Sequence, residues 1–225
     1  MAFEFVLAFV VGGIASVMAA ITGWRFVATR KAHHMFWSVG MALWAASAVA
    51  QGIALVSGWS VPMYKAYYVS AIALAGFLGA GTLELVLRRR RALLAFDGYI
   101  LGMTGILGLA VALAPVDETL LGTAVIGGLA LPSGARIWSP FINIPGGIAF
   151  IGGAAYSYVK LRRPFALLIT IGAATPAVGG VLARFAMPAA LPFTDFIGVV
   201  FLAAGIVLSL RPLETPSPVE ASTTR

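Results

Sequence analysis

The chain has no cysteine, only two histidines and few charges, with Lys, Arg, Asp and Glu making up 10% of its 225 residues. The missing thiols exclude disulfides, thiolate metal sites, cysteine nucleophiles and lipid anchors on sulfur. The missing charge excludes a water-soluble globule, because soluble domains are about one quarter charged. With 60% hydrophobic residues and a mean hydropathy of +0.98, the polar groups are too few to cover the apolar ones, which must face lipid. A basic leader is also lacking. The first positive charges, Arg25, Arg30 and Lys31, come after the first apolar run, so this segment reads as a retained helix and not a cleaved signal.

Seven apolar runs are long enough to cross about 30 Å of hydrocarbon. They cover residues 5–23, 35–57, 66–87, 92–113, 141–159, 165–185 and 193–210. The apolar stretch 119–131 has only 13 residues and is expected to be a re-entrant or surface piece of a long loop. The fold class is therefore all-α: a polytopic membrane protein with one seven-helix domain over residues 1–211 and a short disordered tail over 212–225. Alternate connections carry twelve of the fifteen Lys and Arg residues: Arg25, Arg30, Lys31, Arg88 to Arg91, Lys160, Arg162, Arg163, Arg211 and Arg225. The other connections hold only Lys65, Arg136 and Arg184. The positive-inside bias then puts the N-terminus outside and the C-terminus in the cytoplasm. It also accounts for the net charge of +7 through topology and anionic lipids at the cytoplasmic face, with no nucleic acid partner.

No Asp, Glu, Lys, Arg or His falls at the middle of any run, which disfavours ion-driven transporters and proton pumps, whose relays sit near the midplane. The last run has no lysine, so retinal has no Schiff-base anchor. His33 and His34 are adjacent and point about 100° apart on a helix, so they cannot ligate one metal or haem together. No nucleophile elbow, phosphate loop or zinc-protease pattern occurs, and no catalytic residue, metal or cofactor is expected.

Polar residues nearer the membrane surfaces are the candidates. At the cytoplasmic face, Glu84 stands one helical turn before Arg88, and Asp97 six residues after Arg91. Their pairing with the arginines would tie the third helix to the fourth, whereas convergence with His33 or His34 would make a cytoplasm-facing acid site. At the outer face, Arg184 and Asp195 are expected to pair, with Asn143, Lys65, Tyr67 and Tyr68 at the same level. A solute path would run past Gln51, Thr175, Tyr156 and Ser157. Small residues at four-residue spacing, such as Gly12–Ser16–Ala20, Ala71–Ala75–Gly79, Ala149–Gly153 and Thr175–Gly179–Ala183, mark packing seams. Pro176 should kink the sixth helix. An offset of 129 residues superposes Lys31, Phe36, Ala45, Ala48 and Val49 on Lys160, Phe165, Ala174, Ala177 and Val178. If the offset marks a duplication, the chain is a 3+1+3 arrangement, two three-helix halves joined by the fourth helix; shared membrane composition is the other source of such matches.

The runs NIPGGIAFIGGAAYSYVKLRR (143–163), TIGAATPAVGGVLARF (170–185) and YKAYYVSAIALAGFLGAGTLELVLRRR (64–90), with Asp195, resemble uncharacterised bacterial seven-helix membrane proteins. The resemblance spans roughly the second to seventh helices and implies a bacterial cytoplasmic membrane, with no activity to carry over. Sugar transporters built of two three-helix halves plus a linker share the span count, but their proline-glutamine signature is absent. Three readings follow: transport or binding of a small neutral solute or lipid between the halves; a non-catalytic scaffold, sensor or subunit, alone as a homo-oligomer or with another membrane protein; and, least favoured, an intramembrane lipid-modifying enzyme.

Overall fold

The structure, a computed structural model, describes residues 2–160, 162–184, 187 and 190–209. The expected tail over 212–225 lies outside these residues. Among them there is no strand, and seven helical spans are long and apolar enough to cross a membrane. The first four are single helices: α1 (Ala2–Thr29), α2 (Ala32–Ser57), α3 (Val61–Val86) and α4 (Arg90–Leu113). The fifth span is built from α5 (Ser133–Arg136), α6 (Ser139–Gly147), a π turn (Ile148–Gly152) and α7 (Gly153–Val159). The last two are α8 (Phe165–Arg184) and α9 (Leu191–Ser209).

Each neighbour in the chain packs on the next. The columns α1, α2, α3, α6–α7, α8 and α9 close into a ring, with α9 returning to α1, and α4 lies outside, against α3 and α6. Short turns enforce this order. Arg30 and Lys31 alone join α1 to α2, with Arg30 in the left-handed region at φ 55°. Gly58 at φ 82° ends α2, a conformation that favours a residue without Cβ.

Lipid offers no hydrophobic force between helices, so close backbone approach decides the packing. The tightest crossing is α3 on α6. A Cβ on Gly146 would lie 2.7 Å from the backbone of Gly76, and one on Gly79 would strike the Gly146 carbonyl. Gly12 similarly faces Val49 across α1 and α2, and Gly153 faces Thr82. Between α8 and α9, Gly172 lies against the backbone of Leu202, and a Cβ on Gly198 would come within 2.5 Å of the Pro176 ring. Helix α8 runs helically through Pro176, whose ring fills the space left by that glycine.

The centre of the ring is filled by Val11, Met18, Trp37, Met41, Trp44, Leu78, Phe150, Ile169, Val199, Leu202 and Ile206. A second apolar cluster caps the end opposite the arginine-rich turns. There the loop between α4 and α5 folds onto the start of α3, burying Ala130 and Leu131 against Trp59, Tyr64 and Tyr68. Stretch 119–131 is thus a surface cap, opened by a 3-10 turn at Glu118–Leu120 that the Asp117 carboxylate caps through the Thr119 amide.

Candidate functional site

Two groups of polar side chains stand out, one at each end of the bundle. At the capped end, Gln51 lies six residues before the end of α2 and Tyr67 six residues after the start of α3, each about 9 Å deep. Asp195 sits one turn into α9, just after Pro192, whose missing amide costs nothing in a first helical turn. Gln51 and Asp195 line one crevice between α1, α2 and α9, together with Ala8, Val11, Ala48 and Pro192. The crevice leaves no room for a water molecule. Gln51 is only 4% exposed, and neither it nor Asp195 hydrogen-bonds to a described residue. Tyr67 is buried close enough to Asp195 to feel its charge.

The rest of the expected outer cluster is engaged elsewhere. Lys65 donates to the Ala112 carbonyl of α4 at 2.8 Å, and Tyr68 shares a hydrogen bond with Ser139 at 2.5 Å. Tyr64 donates to the Gly127 carbonyl at 3.0 Å and accepts from the Ala130 amide, while Trp59 Nε1 donates to Ala124. These aromatic rings hold the cap. Asn143 is half-buried on α6. The expected Arg184–Asp195 pair lies outside the described residues, because nothing is described of the Arg184 side chain.

The remaining candidates for a solute path do not share a cavity with Gln51. Thr175 is satisfied within its own helix, donating to Ile171 at 2.7 Å. Tyr156 is exposed and Ser157 half-buried on α7, at the arginine-rich end. Between the two levels stands the packed core of Met41, Trp44 and Phe150.

At the arginine-rich end, Glu84 and Asp97 come within hydrogen-bond reach of each other across α3 and α4. Asp97 Oδ1 is buried without a hydrogen-bond partner. The expected pairing of these carboxyls with Arg88 to Arg91 does not form among the described residues. The i, i+4 relation of Glu84 to Arg88 needs a continuous helix. Instead α3 ends at Val86, and residues 87–89 turn the arginines out to an exposed position. His34 does not join the carboxyls either, since the charges acting on it are those of Arg25 and Lys31. Its neighbour Trp37 donates to the Thr82 hydroxyl at 3.4 Å. No group of three or more His, Cys, Asp or Glu residues is placed to hold a metal ion among the described residues.

Sequence reasoning missed two features. The first is the Tyr99 hydroxyl, which donates to the Phe141 carbonyl at 2.6 Å and pins α4 to α6. The second is the outward face of α4, where a Cβ on exposed Gly98, Gly102 or Gly105 would meet no atom within 4 Å. The signal for it was legible in the GxxxG spacing of Gly98 and Gly102.

The fold defines a seven-helix integral membrane protein with an apolar packed core at the ring centre. Compared with known proteins, the chain matches no protein-family model, no curated protein and no solved structure.

Proposed function

We propose that the chain is a non-catalytic membrane subunit that associates with a second copy of itself through α4, in the cytoplasmic membrane of a bacterium. The observation that carries this reading is the glycine face of α4. The helix stands outside the ring, and Gly98, Gly102 and Gly105, with exposed Leu94, Leu101 and Leu109 beside them, turn outward. A helix bare of side chains lets a second backbone approach closely, and dispersion and Cα–H···O contacts then hold the pair in lipid. The alternative, solute transport between the two three-helix halves, needs a polar opening through the ring. The side chains at the ring centre are apolar and packed, which favours the subunit reading.

The test uses Gly98→Leu with Gly102→Leu. Both added side chains enter open space, so the monomer should keep or gain thermal stability, helix propensity alone favouring it by about 1 kcal/mol per site. Mass measured in nanodiscs or by native mass spectrometry should fall from dimer to monomer in the variant. A parent chain that remains monomeric at every protein-to-lipid ratio overturns the proposal.

A further inference from the structure

The turn between α1 and α2 gathers donors and cations around a gap in hydrogen bonding. Arg25, Arg30, Lys31, His33 and His34 fall within ten positions. The left-handed Arg30 sets the last turn of α1 beside the first turn of α2. His34 is 8% exposed, and its Nδ1 is buried with no hydrogen-bond partner. Its ring centroid lies 4.1 Å from that of His33, and the charges acting on it are the cations Arg25 and Lys31, with no carboxylate among them. His34 is the third residue of α2, and helical side chains lean toward the N-terminus, which places its ring over the same turn. Lys31 occupies the N-cap without a side-chain cap bond, and the amides of Ala32 and His33 donate to no described backbone carbonyl. A helix of 26 residues ends there with its positive pole unanswered.

The uncapped amides and the cations call for an anion, and His34 Nδ1 can donate to one when it carries the ring proton. We propose that the α1–α2 turn is a binding site for a phosphate group, held by Arg30, Lys31, the Ala32 and His33 amides and the Nδ1–H tautomer of His34. Helix N-termini bind phosphate by this combination of amides and dipole. The turn lies at the arginine-rich end, with exposed Trp24 nearby as a headgroup-level aromatic. The phosphodiester of an anionic phospholipid and inorganic phosphate offer the same chemistry, and the experiment separates them.

The full chain in neutral detergent is melted with phosphatidylglycerol, with phosphatidylcholine and with inorganic phosphate, while the imidazole 15N resonances of His34 are followed. Phosphatidylglycerol should raise the melting temperature by about 3–5 °C and move the His34 signals, as a ligand of the folded state does. The variant Arg30→Asn with Lys31→Gln keeps a residue tolerant of the left-handed turn. It should lose most of this shift, with an apparent affinity roughly tenfold weaker, the scale of one charge-assisted hydrogen bond. The control Arg89→Gln with Arg91→Gln should keep it. Inorganic phosphate giving the same shift supports the site with a soluble ligand, and phosphatidylglycerol alone giving it supports a lipid. An equal response to phosphatidylcholine, a full shift in the Arg30/Lys31 variant, or unmoved His34 resonances overturns the proposal.

Discussion

The carbonyl of Phe141 shows how one residue fixes the position of a whole helix. Pro145 stands four residues later in α6 and has no amide to donate, so this carbonyl loses its helical partner inside the membrane. The Tyr99 hydroxyl of α4 supplies the missing donor at 2.6 Å. Tyr99→Phe should therefore lower stability by about 1–2 kcal/mol, the cost of leaving a desolvated carbonyl unpaired. Pro145→Ala restores an amide to Phe141, so in that background the loss from Tyr99→Phe should shrink by at least half. Thermal unfolding of the four proteins in a double-mutant cycle measures the coupling, and an equal Tyr99→Phe loss in both backgrounds would show that the hydroxyl does not stand in for the missing amide. Neither partner was legible as such from the sequence. Pro145 is visible there, but the residue answering it comes from a helix 42 positions away, and no spacing rule links them. Gln51 and Asp195 were legible individually, because polar groups in apolar runs are conspicuous. Their meeting in one crevice depends on α9 closing back on α1, which local patterning does not encode.

At the scale of the element, adjacent glycines separate packing from tolerance. On α6, Gly146 lies against the backbone of Gly76 and Ala75, which cannot move aside, whereas Gly147 faces open space. Gly146→Ala should cost about 1–3 kcal/mol by overpacking. Gly147→Ala should be neutral or stabilising by up to about 1 kcal/mol, through helix propensity. Melting curves of the two variants in one detergent test this, and equal effects would mean that the α3–α6 crossing is not the close contact described. The seam residues Gly12, Gly79, Gly153 and Gly179 were readable from four-residue spacing, and each now faces a neighbouring helix. The same spacing does not say which glycines meet a partner. Gly146 and Gly102 both sit in apolar helical runs, and only the ring order turns one inward and leaves the other bare. The carboxyls at the end of α3 follow the same logic. Glu84 and Arg88 are one turn apart only if the helix continues, and its end at Val86 hands Glu84 to Asp97.

For the whole molecule, span number was the strongest message of the sequence, because about twenty apolar residues in a row have few uses other than crossing a bilayer. The closing of six columns into a ring, with α4 outside, was not legible, since lipid-facing and protein-facing residues are alike apolar and leave no moment to read. Orientation rests on a different signal, the asymmetry of charge. Twelve of the fifteen Lys and Arg residues fall in alternate connections or the tail, and transferring such clusters across a membrane opposes the positive-inside bias. The bias predicts that the Trp59–Ser60 turn and the loop cap face outward and the Arg88–Arg89 turn faces the cytoplasm. The absence of cysteine makes the test direct. Single cysteines at Ser60 and Arg89, both exposed in the structure, are treated in intact cells with a membrane-impermeant maleimide. Labelling at 60 and protection at 89 until the cells are opened is the expected result. The reverse pattern would invert the molecule and put the α1–α2 turn, with its basic cluster, on the outside. Labelling at both sites in intact cells would mean that α3, the one span between them, does not cross the membrane.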